Sequence, residues 1–298
     1  MASVQDIKRR VRSVKNTRKI TKAMELVAAA KLRRAQVRIE AMRPYADRMQ
    51  ELMVGTARAS SSVRGLSLLQ RREEVRTVAI VPLTGDRGLA GAFNANVLRQ
   101  AFAIERELKA EGKDVKWLVA GKKGGSTLRF RGYEINHAWT GFSDRPQYGD
   151  AQAVANRLAT MYAEGEVDRV ILVYNHFVSA LVQTVSAQDV LPIPESLLDV
   201  DEVAIEKQEA VHGDFIYEPE PEEILRRLLP VYVETEVYRA LLESAASEQG
   251  ARMTAMRNAS KSAGEVIDSL TLAMNRARQS EITQEILEVV AGADALTN

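Results

Sequence analysis

Judged by residue type and spacing, three groups in this sequence could do chemistry. The first is the glycine-rich stretch TGDRGLAGAFN at 84–94, between an apolar run and an amphipathic one. Glycines at such a turn let backbone N–H groups cradle a phosphate. Here Gly85, Gly88 and Gly91 are spaced G-x-x-G-x-x-G. That is neither the dinucleotide fingerprint nor a P-loop, and no Gly-Lys-Ser/Thr follows. A tight strand-to-helix turn accounts for the glycines better, with Asp86 or Arg87 in a local ion pair. The second group is the basic cluster Lys8, Arg9, Arg10, Arg12, Lys15, Arg18, Lys19 and Lys22. The third is the carboxylate-rich stretch 195–223, in which no pair shows an acid/base partition. His137, His176 and His212 lie in separate segments without metal-ligand spacing, there is no cysteine, and no Ser-His-Asp pattern occurs. The expectation is therefore no catalytic residue, no cofactor and no metal site.

The basic cluster is part of a larger asymmetry. Residues 1–58 carry fifteen Lys/Arg and five Asp/Glu, a net of +10, so the other 240 residues sum to −9. A basic arm on an acidic protein points to an anionic partner. An apolar stripe runs through the arm, and no aromatic residue precedes Tyr45, so base stacking is absent. An acidic protein surface explains the arm as well as DNA does.

The elements that position these residues follow from periodicity. Over 3–57, Val4, Ile7, Val11, Val14, Ile20, Met24, Val27, Leu32, Ile39, Met42, Met49 and Met53 recur at intervals of three and four, the mark of a helix. Ser3 can cap its start with Asp6 in the first turn, Pro44 should bend or break it, and Gly55 and Ser60–Ser62 mark its end. Such a helix is roughly 80 Å long and needs a partner. From Glu222 a second stripe runs for nearly seventy residues through Leu225, Val233, Leu241, Met253, Ile267, Met274, Ile282 and Val290, with Pro230 a local fault. Its last turns, Ile286–Leu296, carry only Glu288 and Asp294 as charges, so this tip should be buried in a socket supplied by other chains. Between the helices, Val75–Pro82, Val115–Ala120, Tyr133–Trp139, Asp168–Tyr174 and Phe177–Val190 read as strands, the last at an edge. Helices near 95–111, 121–130 and 148–164 alternate with them. That alternation predicts a mostly parallel sheet covered on both faces. The divisions expected are a helix over 1–58, an α/β block over 75–191, an acidic connector over 192–220 with a strand at 214–218, and a helix over 221–298. No apolar run approaches a membrane span.

Four ordered segments, NTRKITKAMELVAAAKLRRAQ (16–36), TGDRGLAGAFN (84–94), SEQGARMTAMRNASKSA (247–263) and ARQSEITQEILEVVAGADAL (277–296), make the sequence resemble the gamma subunit of F-type ATP synthase. The resemblance spans both termini, the middle block and the overall length. It implies a long antiparallel coiled coil of the terminal helices with a Rossmann-like α/β middle domain. It also implies a central rotor shaft without its own active site. The upper end would sit inside a hexamer of alpha and beta subunits, and the foot on epsilon and the c-ring. No nucleic acid is then expected as partner. By position, Arg278 and Gln279 match a polar catch on beta and alpha. Thr283 and Glu288 lie in the same upper segment. Met24 faces the acidic lever of beta, and Arg252 matches a contact lower on the shaft. Lys19, Lys22, Lys31, Arg33 and Arg34 would complement that lever, and Phe215 and Tyr217 match the foot. Gly85 stands where the family has Ser, Ala92 where it has Gly, and Glu281 where a small residue is common. Without cysteine the chain cannot use the thiol switch of chloroplast members. A start directly at the helix suggests a bacterial source, and hence a peripheral protein on the cytoplasmic face of the plasma membrane.

Overall fold

Runs rich in Val, Ile and Leu become strands buried on both faces. The computed structural model describes residues 3–60, 66–194 and 218–297, with side chains to residue 292. Helix α1 is Val4–Ala59. Strand β1 (Thr77–Pro82) leads to α2 (Phe93–Ala110), β2 (Asp114–Ala120) to α3 (Lys122–Phe130), and β3 (His137–Trp139) to α4 (Tyr148–Ala163). Strands β4 (Arg169–Phe177) and β5 (Gln183–Leu191) precede α5 (Pro221–Thr297). One sheet results, in the order β3-β2-β1-β4-β5. Its pairs β1–β2, β1–β4 and β2–β3 are parallel, and β5 closes one edge antiparallel to β4. The mostly parallel sheet is as expected from the alternation of strands and helices.

Strand period divides the core in two. Val78, Ile80, Trp117, Val119, Ile171 and Val173 point to the α2/α3 face. Ala79, Val81, Leu118, Val170 and Leu172 point to the other, where α4 supplies Val154, Leu158 and Met161. Burying each large aliphatic contributes about 1.5–3 kcal/mol.

The chain divides into two units, Met1–Ala29 with Arg252–Asn298, and Ala30–Ala251. In the larger unit, Met49, Met53 and Ala57 of α1 join Leu225, Leu229, Val233 and Val237 of α5 in the core on the α4 face of the sheet. Here α5 also buries Glu234, Glu236, Glu243 and Ser247. Such groups need hydrogen bonds. Tyr148 donates its hydroxyl proton to Glu234 at 2.7 Å, and Gln188 donates to Glu236 at 2.6 Å. His176 Nδ1 lies 2.5 Å from Glu243, and Ser247 donates to the Asn175 carbonyl at 3.0 Å. Burial, helped by the charge of Glu243, pushes the Tyr174 hydroxyl up to about 12.

In the smaller unit the two helices run antiparallel. Arg257 of α5 reaches Glu25 of α1 at 3.1 Å, and Gly264, seven residues on, lies against the guanidinium of Arg18, seven residues back. The α1 side of this seam is Val11, Thr21, Glu25 and Ala28, all buried. The α5 side is Met253, Met256, Ala263 and Ile267. Ser3 caps α1 as expected, its Oγ accepting the Asp6 N–H at 3.2 Å.

Several expectations need correction. Ile20 and Val27 are exposed, whereas Thr21 and Glu25 take the buried positions one or two residues away. Apolar residues outnumber the places in one seam there, and the ion pair fixes which stripe is inside. Neither Pro44 nor Pro230 interrupts its helix, since each removes one N–H from a ladder that continues on both sides. Helix α1 runs through Gly55 to Ala59. Only His137–Trp139 of the expected third strand pairs, because Tyr133 and Ile135 pack instead on the α2/α3 core. Residues 178–182 turn the chain between β4 and β5. Most of the acidic connector, including residues 214–217 of the expected strand and the positions Phe215 and Tyr217, lies outside the described residues.

Candidate functional site

The glycine-rich turn ties the α/β block together. The Gly85 N–H donates to Asn94 Oδ1 at 2.8 Å, and the Asp86 N–H to Ser143 Oγ at 2.8 Å. The Gly124 N–H donates to Thr84 Oγ1 at 2.9 Å. Instead of the expected ion pair, the Asp86 carboxylate accepts the N–H groups of Lys122 (3.0 Å), Gly141 (2.8 Å) and Ser143 (3.3 Å). The N–H groups of Gly85 and Asp86 are therefore bonded to side chains, and those of Lys122 and Gly124 at the start of α3 likewise, rather than pointing at an open phosphate site. Gly85 itself faces Glu248, whose carboxylate lies 2.9 Å from where a Cβ would stand.

The surfaces that remain open are on the long helices. Carrying on the register of the Glu25–Arg257 pair, Val4 stands opposite Arg278. Ala277 is the last half-buried residue of α5, and every residue from Arg278 to Gly292 is exposed. Residues 279–297 thus extend α5 about 28 Å past the start of α1. Ile282, Ile286, Leu287, Val289 and Val290 are exposed on this extension. Thr283 turns its hydroxyl back onto the Gln279 carbonyl at 2.9 Å, and Gln284 donates to Glu288 at 2.9 Å.

The family is decided by likeness over the whole length. A family model described as ATP synthase matches residues 3–296. The ATP synthase gamma chain of Moorella thermoacetica is 47% identical over 99% of this chain and 100% of its own length. That of Paracoccus denitrificans is 46% identical over 99% of this chain and all of its own length. The chain belongs to the ATP synthase gamma chain family. Among solved structures, a chain of the Tetrahymena thermophila mitochondrial ATP synthase central stalk and c-ring matches with 29% identity and a TM-score of 0.59. The match covers 81% of this chain and 99% of that one. A chain of the Euglena gracilis mitochondrial enzyme shares the fold at a TM-score of 0.68 and 18% identity, over 98% of this chain and 94% of that one.

Within this chain the residues named from sequence fall into two sets. In the smaller unit, Arg278, Gln279, Thr283 and Glu288 share the exposed end of α5, while Met24 and Arg252 are half-buried. Lys19 is exposed, and Lys22 pairs with Glu25 at 3.0 Å. Ile20 and Val27, one turn either side of Met24, extend an exposed apolar surface beside it. Sequence reasoning assigned both to the seam, although the excess of apolar positions over one stripe already signalled a second contact. In the larger unit, Arg33 and Arg34 are exposed, whereas Lys31 is bonded to Asp144. No helix among the described residues is long and apolar enough to cross a membrane.

Glu25 is the buried charge of the helix seam. Hydrogen bonds from Lys22 and then Arg257 hold its carboxyl below the usual glutamate range. A depressed folded-state pKa gives stability that is present above the unfolded-state value and is lost as pH falls through the folded one. Acidification from about pH 7 to about pH 3 should therefore lower the thermal midpoint more in the native chain than in Glu25→Gln. Circular dichroism melts across that range check this, and equal slopes in the two proteins would exclude the role given to Glu25.

Proposed function

We propose that this chain is the non-catalytic central shaft of a proton-translocating F-type ATP synthase. The exposed, aliphatic overhang of α5 carries the reading. A helix overhang about 28 Å long that exposes Ile282, Ile286, Leu287, Val289 and Val290 is unfavourable in water and fits a ring of other subunits around it. In this reading the overhang turns inside a hexamer of alpha and beta subunits. Arg278 and Gln279, with Thr283 and Glu288, contact that ring. Met24, Arg252 and the cations Lys19, Lys22, Arg33 and Arg34 face the acidic lever of beta, and Lys31 acts through Asp144. The foot, with Phe215 and Tyr217, seats on epsilon and the c-ring. An asymmetric shaft turning in a ring presents a different face to each beta site in succession, so rotation and nucleotide affinity are coupled. The glycine turn's spacing, which is not that of a P-loop, supports leaving the nucleotide chemistry to alpha and beta. The chain then works as a peripheral protein at the cytoplasmic face of a bacterial plasma membrane.

Co-expression with alpha and beta subunits tests the proposal. The expected result is a stoichiometric complex that hydrolyses ATP, while the purified chain alone hydrolyses none. Hydrolysis by the rigorously purified chain, or failure to form the complex, would overturn it.

A further inference from the structure

We propose that four positions along one side of α5, Glu236, Glu243, Ser247 and Gly250, lock the β4–β5 hairpin to the shaft helix and pass torque between the α/β block and the shaft. This deepens the shaft reading and rests on it. The intervals between them are seven, four and three, so they form one stripe about 21 Å long. Each position meets a different point of the hairpin. Gln188 of β5 donates to Glu236 at 2.6 Å. His176 Nδ1 of β4 lies 2.5 Å from Glu243, and Ser247 donates to the Asn175 carbonyl at 3.0 Å. At the hairpin tip, the Ala180 carbonyl oxygen stands 3.1 Å from where a Cβ on residue 250 would be. Glycine is a poorer helix former than alanine, and here it admits the backbone of the hairpin. The tip is braced in turn, since Gln183 Nε2 donates to the Ser179 and Ala180 carbonyls, each at 3.1 Å.

The chemistry of this stripe differs from that of the apolar contact beside it. Leu225, Leu229, Val233 and Val237 join the core by burial, which holds surfaces together without direction. Hydrogen bonds are directional, and Glu236, Glu243 and Ser247 are all buried. Shifting α5 by one residue against the hairpin breaks these contacts together and leaves buried carboxylates without partners, a costly state. Buried charges add little net stability over well-packed apolar groups, so what this stripe contributes is a single register. Connectivity shows where the register matters. Residues 192–220 are joined to β5 at Leu191 and to α5 at Pro221. In the shaft reading this segment carries the foot, so a load on it divides between β5 and α5. The share that enters β5 reaches α5 through the contacts of the α/β block with that helix, and the polar stripe is the part of them that resists sliding.

The test uses the assembled complex of this chain with alpha, beta, epsilon and c subunits in inverted membrane vesicles. In the double variant Glu243→Leu with Ser247→Ala, apolar groups replace two of the polar contacts, and His176, about half exposed, is left to bond water. A purely structural stripe would show its loss as a lower Tm together with lower ATP hydrolysis. The expected result is that Tm of the isolated chain and ATP hydrolysis by the complex stay at native values, while protons pumped per ATP fall about tenfold. That factor is what losing two hydrogen bonds gives in an equilibrium between locked and slipped registers. The chain has no cysteine of its own, so a cysteine pair, Ala180→Cys with Gly250→Cys, can be added to the double variant. Oxidised to a disulfide with copper phenanthroline, the pair should restore coupling, and reduction should remove it again. Native pumping per ATP in the double variant overturns the proposal. So does a joint fall of Tm, hydrolysis and pumping, and so does a cysteine pair that fails to oxidise or restores nothing. If the complex with the native chain neither hydrolyses ATP nor pumps, the shaft reading falls and this inference with it, so the two failures are told apart.

Discussion

Replacing Arg278 and Gln279 together with alanine lowers ATP-driven proton pumping by the assembled complex about tenfold to hundredfold, while the chain itself stays folded. Both residues lie at the point where α5 leaves α1, and both are exposed. Among the described residues Arg278 has no carboxylate partner, so the two side chains contribute nothing to the fold that alanine would remove. Alanine also has the higher helix propensity. The loss is therefore expected to fall on contacts with other subunits. A hydrogen bond to a charged group contributes about 1.5–3 kcal/mol, and about 1.4 kcal/mol is a factor of ten. Pumping is followed by quenching of a pH-sensitive dye in inverted membrane vesicles, and folding by the thermal midpoint of the isolated chain. Unchanged pumping would remove Arg278 and Gln279 from the partner surface. A lowered midpoint would instead make them structural.

The parts of the fold legible in the sequence are those where one periodicity dominates. The strands of the sheet centre are continuous apolar runs because both faces are covered, and they were placed to within a few residues. The overhang of α5 was legible for a related reason: a helix end with few charges has to meet something. The α1 seam was not. Val11, Ile20, Met24, Val27 and Leu32 offer more apolar positions than one stripe holds, and intervals of three and four do not choose among them. The choice rests on the tertiary pair Glu25–Arg257, whose members are 232 residues apart. The buried side of α5 was obscured for the opposite reason. Glu234, Glu236 and Glu243 look like a solvated face, yet each finds a partner on another element or on α5 itself. The role of Lys31 was likewise invisible, because Asp144 meets it only through the fold.

Gly121→Ala should unfold the α/β block or destabilise it by more than about 3 kcal/mol, the second large effect expected. Gly121 has φ +100°, a region that a side chain makes costly, and a Cβ there would stand 2.0 Å from the Thr84 carbonyl oxygen. Backbone cannot yield at that point. The Thr84 N–H donates to Ala120 at 2.8 Å, its hydroxyl donates to the same carbonyl at 2.9 Å, and the Gly121 N–H donates to Trp139 at 2.8 Å. Moving Thr84 away would break the link between the ends of β1 and β2 and disturb the turn that Asp86 ties to α3 and to residues 141–143. Gly112 is the control, because it also has positive φ (+77°) but nothing within 4 Å of an added Cβ. Gly112→Ala should cost only the backbone strain, about 1–2 kcal/mol. Urea unfolding of the two variants separates clash from conformation. Equal losses would mean that the close approach of β1 and β2 contributes little, and that positive φ alone requires glycine at 121.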